Sequence, residues 1–185
     1  MPIPERFRLP KPTPQQLAEL GELCDQIEDA LESGDDASSL LARWHARTSR
    51  KCETHEFTNY WKTTDKEQFV LSAWVPEPLL VEDLTYREAA DVIEVLTTTG
   101  FDEEHQSEYY VSWLETQFPN ANICDLVFWP DIWFGDASLF RDENGAFKPD
   151  LQLSCDQILA YAMEKSGRKL EDRPRDVSLP LPHPT

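Results

Sequence analysis

The stretch TPQQLAELGELCDQIEDAL, Thr13 to Leu31, holds a complete helix start followed by one continuous apolar face. Thr13 is a capping residue, Pro14 occupies the first helical position, and Gln16 completes a capping box. Leu17, Leu20, Leu23, Cys24, Ile27 and Leu31 then recur every three or four residues, the period of an amphipathic helix. Ser33-Gly34-Asp35-Asp36 ends it. Working outward, a second short helix with Leu40, Leu41 and Trp44 inward is predicted to run to about Ala46. His55–Trp61 reads as a third, burying Phe57, Tyr60 and Trp61. Thr64 to Glu67 forms another capping box ahead of Phe69, Val70 and Ala73. Val75-Pro-Glu-Pro78 then breaks the chain, at a linker or a tight corner between two halves.

The second half repeats the pattern. Thr85-Tyr-Arg-Glu88 is a capping box, and Ala89, Val92, Ile93 and Leu96 give a helix face that ends near Thr99-Gly100. Asp102, Glu103 and Glu104 open the next helix, where carboxylates suit the positive end of its dipole. Tyr109, Tyr110, Trp113, Leu114 and Phe118 supply its apolar side, and Pro119-Asn-Ala-Asn122 ends it. Asp125 to Pro130 is a very short apolar element stopped by proline, and residues 131–152 read as a long loop. Ser154 and Gln157 box the start of a last helix through Ile158, Leu159, Ala162 and Met163 to Ser166-Gly167. Residues 1–12 read as an extended arm. No long alternating run calls for a sheet, so the expected fold class is all-α. Three parts follow: a helical N-terminal region over 1–78, an acidic helical domain over 79–166, and a Pro-rich mobile tail over 167–185.

The 35 acidic and 17 basic residues leave a net charge of −18. Acid is concentrated in residues 80–165, where 18 acids and 4 bases give −14. Such a balance argues against direct binding of nucleic acid or of an anionic membrane. It fits either a solvated face that aids solubility or a surface that captures a basic partner. No GxGxxG, GxxxxGK[ST], GxSxG or HExxH motif is present. Cys24, Cys52, Cys124 and Cys155 are far apart, without CxxC, and read as reduced, core-forming thiols. Cys52-Glu-Thr-His55 has metal-like spacing but lacks a second pair. The expectation is a non-enzymatic protein with no cofactor and no metal. The opening Met1-Pro-Ile-Pro lacks the order of a signal peptide and no run of ~20 apolar residues occurs, so a cytoplasmic location is expected.

One segment stands apart, Asn122-Ile-Cys-Asp125-Leu-Val-Phe128-Trp129-Pro130. Neighbouring residues on a helix point about 100° apart, so two adjacent large rings on a one-turn element cannot both face inward. Either at least one ring lies near the surface, or the 131–152 loop folds over both. With Asp83-Leu84-Thr85, the acidic helix over 102–118, Cys124 to Pro130, and Leu153-Ser154 in that order, residues 83–163 resemble the immunity proteins of nuclease colicins and pyocins. That family consists of small acidic four-helix inhibitors of a co-produced nuclease toxin. The resemblance implies a four-helix bundle in the C-terminal half, after a smaller helical N-terminal region that it does not cover.

It further implies a basic nuclease domain as partner, anchored on the third helix and discriminated by the second. Carried onto this chain, the anchor is Asp125, Phe128 and Trp129, with Cys124 beside them; two tyrosines of the family are here Phe128 and Trp129. The discriminating face is Glu104, Glu108, Val111 and Glu115, spaced along one helical stripe. The other function class compatible with these residues is a helical interaction module that binds a different basic protein.

Overall fold

The computed structural model describes residues 3–101, 104–148 and 152–183. Among these residues the secondary structure is helical throughout, with no strand and a single isolated bridge between Arg141 and Phe147. No described helix is long and apolar enough to cross a membrane. The chain divides into two compact units, one formed by Leu9–Glu77 and the other by the residues up to Arg8 together with those from Pro78 onward. The division thus falls inside the Val75–Pro78 break, but residues 3–8 belong with the C-terminal unit and not with the N-terminal helices.

Leu9–Glu77 contains α1 (Pro14–Ser33), α2 (Ser38–His45), α3 (Thr54–Phe57) and α4 (Lys66–Trp74). Thr13 and Gln16 form the reciprocal capping box, and Gly34 closes α1 at φ 74°, a left-handed stop that glycine adopts without strain. Leu20, Leu23, Cys24 and Ile27 of α1 meet Trp44, Phe57, Phe69 and Val70 in one core. Trp44 is fully buried, edge-on to Phe57 at 5.0 Å and stacked on Phe69 at 5.9 Å. Burying rings of this size contributes about 2–3 kcal/mol each. Two expectations shift. Asp65, not Thr64, caps α4. The third helix stops at Phe57, and a 3-10 turn over Tyr60–Lys62 turns Trp61 outward, where it is 66% exposed. A tight turn of three residues per repeat places neighbouring rings on different sides.

The C-terminal unit contains α5 (Tyr86–Glu94), α6 (Glu104–Gln117), α7 (Ile123–Phe128), α8 (Pro130–Phe134), α9 (Ala137–Phe140) and α10 (Cys155–Ser166). A π-helical turn over Val95–Thr99 extends α5, and the acids expected to open the next helix, Asp102 and Glu103, lie outside the described residues. The segment read as one long loop instead carries α8 and α9. Pro130 does not merely stop α7; it starts α8, because a residue without an N–H costs nothing at the first helical position.

The arm and the tail are both held. Ile3 and Phe7 are buried, Phe7 packs on Trp113 at 4.9 Å, and the Tyr110 hydroxyl donates to the Phe7 carbonyl. Arg6 forks onto both Glu88 oxygens at 2.6 Å and onto the Asp83 carboxylate at 2.9 and 3.0 Å. Glu88 is itself the capping-box partner of Thr85, so the arm is bonded to the N-terminus of α5. After α10, Leu170 is buried, Asp172 accepts from Tyr86 N–H, and the Tyr161 hydroxyl donates to Leu181 O. The segment expected to be mobile is therefore tied back onto α5 and α10 by polar contacts that span up to 86 residues.

Arg6, by its hydrogen bonds, holds the Glu88 carboxyl down at about 2. A carboxylate depressed in the folded state adds stability that is complete above its unfolded value and is lost as pH falls toward the folded one. Arg6→Ala is expected to lower the melting midpoint by a few degrees at neutral pH, roughly 1 kcal/mol for this partly exposed pair. The difference from the parent then narrows between about pH 5 and pH 2. Calorimetric melts across that range check it, and a difference independent of pH refutes Glu88 as the titrating group.

Candidate functional site

The aromatic corner between α7 and α8 is built from a break in the backbone. Asn122 caps α7 in the left-handed region at φ 51°, a conformation asparagine tolerates better than most residues. Ile123 and Leu126 point into the core, each 1% exposed. Trp129 then leaves helical geometry at φ −136° and ψ 55°, and serves both as the end of α7 and the cap of α8. Its N–H donates to Asp125 O at 2.7 Å, and its carbonyl accepts from Ile132 N and Trp133 N. The backbone of Trp129 is thereby satisfied without either ring being buried.

Phe128 is 39% exposed, Trp129 48% and Ile132 61%. The described residues of the 131–152 segment therefore leave both rings partly open. They add to the apolar surface instead, because Phe147 is also exposed. Trp133 points the other way, buried, with its indole N–H donating to Ala121 O at 2.7 Å. Beside the corner lies a cavity of about 330 Å3 whose walls include Leu126, Phe128, Phe140, Phe147 and Ile158. A groove of this kind next to exposed aromatic rings has the composition of a protein-binding anchor site.

The turn that carries Phe147 is held by one guanidinium. Arg141 Nε donates to Asp131 Oδ2 at 2.6 Å, Nη1 donates to Gly145 O at 3.0 Å, and the cation lies 4.0 Å from the Phe147 ring centre. Asp131 is nearly buried, and Arg141 holds its carboxyl below the usual carboxylate range. Asp142 closes the same turn by accepting from Asn144 N and Ala146 N.

The eight residues named from the sequence fall into distinct roles. Phe128 and Trp129 form the exposed corner, with Asp125 half-buried one turn before it. Cys124 is half-buried beside them, and burial pushes its thiol up, so it is neutral. On α6, Glu108 is exposed and Val111 half-buried, while the side chain of Glu104 lies outside what is described. Glu115, expected on the discriminating stripe, also has a structural contact: its Oε1 accepts the Cys124 N–H at 2.8 Å, which fastens the start of α7 to α6. Ile132 and Phe147 are not singled out by the sequence. The signal for Ile132 is Pro130, a helix-starting proline that places the next turn beside the corner. Phe147 has no local signal, because Arg141 and Asp131 position it through contacts across the turn. Among the described residues no three His, Cys, Asp or Glu side chains gather as a metal site.

Set against protein-family models, curated proteins and solved structures, the chain matches none.

Because Arg141 is the common point of the turn, Arg141→Gln is expected to loosen residues 136–148 without unfolding the unit. Limited chymotrypsin digestion at neutral pH should cut that stretch several-fold, about fivefold or more, faster than in the parent. Equal cutting rates contradict the clamp.

Proposed function

We propose that the chain is an immunity-type protein that binds and neutralises a nuclease toxin in the cytoplasm, with Phe128 and Trp129 as its apolar anchor. The reading takes α5, α6, α7 and α10 as the four helices of the resembled family, with α8 and α9 as additions. The observation that carries it is the backbone break at Trp129, which satisfies its own hydrogen bonds while leaving two large adjacent rings exposed in the acidic half of the chain. Solvent-facing aromatic pairs beside an apolar groove are costly to leave uncovered, and their cover is a partner surface.

Charge supplies the other half. A nuclease presents a basic surface to phosphates, so residues 80–165 at −14 are complementary to it and steer its approach. Of the described acids of the expected interface, Glu108 is exposed, while Asp125 and Glu115 are half-buried. A carboxylate-rich face bound beside a catalytic groove repels the DNA backbone, so inhibition does not require plugging the active site. Nuclease colicins and their immunity proteins form some of the tightest protein complexes known. That affinity belongs to the resembled family and sets the scale against which binding by this chain is measured.

A second reading, a helical module that binds another basic protein, draws support from Leu9–Glu77. That unit has its own core, lies outside the resemblance, and exposes Trp61 with the Lys62 ammonium 5.4 Å from its ring.

Titration calorimetry with the nuclease domain encoded beside this gene, paired with a DNA-cleavage assay, decides between them. The expected result is tight binding that abolishes cleavage. Trp129→Ala should cost about 2 kcal/mol or more, and Glu108→Gln about 1 kcal/mol or less. A loss at Trp129 no larger than that at Glu108 removes the anchor assignment, and no binding by a folded sample transfers the assignment to the module reading.

A further inference from the structure

The segment that follows α10 alternates in charge along the sequence: Arg168, Lys169, Glu171, Asp172, Arg173, Arg175 and Asp176. The fold sorts these charges. All four cations line one cavity of about 400 Å3, and none of the three acids does. Asp172 instead accepts the Tyr86 N–H at 2.6 Å. The one carboxylate on the wall is Glu164, an oxygen of which lies 2.7 Å from His183 Nε2.

The four cations are not equivalent. Arg168 is committed to structure, donating to Val81 O and to both the carbonyl and the side-chain oxygen of Gln117. Lys169, Arg173 and Arg175 are exposed, and none forms an ion pair with a described residue. In a chain of −18, three neighbouring cations left without carboxylates on one wall are a local reversal of the field. Apart from Glu164, held against His183, the wall also carries an apolar part that includes Met163, Val177 and Leu179.

We infer that this cavity binds a small organic phosphate, its phosphate on Lys169, Arg173 and Arg175 and its apolar body against Met163, Val177 and Leu179. Guanidinium forks match the several oxygens of a phosphate better than a point charge does. The volume falls within the range of small-molecule sites. The surrounding negative charge repels an extended polyanion, so the site selects a compact one. The assignment does not depend on toxin binding, which uses another face of the same unit.

The test is calorimetric titration of the full chain with phenyl phosphate at fixed ionic strength, with inorganic phosphate and phenol as separate arms. Phenyl phosphate should bind one to one, inorganic phosphate more weakly, and phenol not at all. The double variant Arg173→Gln/Arg175→Gln, and separately Lys169→Gln, should weaken phenyl phosphate by about tenfold and about threefold, while Lys62→Gln leaves it unchanged. These side chains are exposed and hold nothing in place, so melts matching the parent are expected to accompany the loss. No saturable heat up to about 10 mM, or an equal loss in Lys62→Gln, overturns the site. Equal affinity for inorganic phosphate overturns the apolar wall and with it the class of ligand.

Discussion

The side-chain amide of Gln117 is the contact on which the C-terminal unit depends. It is wholly buried at the end of α6, accepts from Val81 N–H at 2.9 Å and donates to Leu79 O at 2.8 Å. An amide can pair with an isolated stretch of backbone as a neighbouring strand would, and here it replaces a sheet where the described residues form none. Arg168 then donates to the Gln117 side chain and carbonyl and to Val81 O. Three segments distant in sequence, the chain from Leu79 to Val81, the end of α6 and the residues after α10, are joined at one polar node. Burial of that guanidinium among neutral oxygens lowers its affinity for a proton, as desolvation of a charge requires.

The same kind of polar contact supports both faces proposed for binding. The Gln117 contact fixes where the segment after α10 turns back, and so shapes the cavity that Lys169, Arg173 and Arg175 line. Just before it on α6, Glu115 fastens α7 and thereby sets the corner at Trp129. Both proposed sites rest on polar contacts made by neighbouring side chains, Gln117 and Arg168 at the cavity and Glu115 at the corner. Preorganisation of this kind reduces the ordering cost that binding must overcome.

Local rules account for what the sequence made legible. The boxes at Thr13, Thr85 and Ser154 form where the spacing placed them, since a cap involves residues only three apart. That the two rings of Phe128 and Trp129 could not both face inward from one helical turn was legible from helix geometry, but whether residues 131–152 would cover them was not. Nor were long-range bonds. Arg6 with Glu88 and Tyr86 with Asp172 have no periodic trace, so the arm and the tail read as loose ends. Glu115 read only as part of the discriminating stripe because the group it holds is a backbone N–H nine residues on, outside any helical pattern. Pro130 was ambiguous in principle, being equally suited to ending one helix and beginning another.

The closure of the arm on its own unit makes Leu9–Glu77 an insertion within a discontinuous domain. Arg6 meets Glu88 across 82 residues, and Phe7 meets Tyr110 across 103. Joining the ends of a flexible loop of that length costs about 4 kcal/mol beyond a constant term. Folding of the insertion first removes most of those residues from the loop's conformational freedom, so assembly has a built-in order. The arm is made before α5 and α6 but cannot dock until the chain beyond Trp113 has been made, because its binding surface lies on those helices.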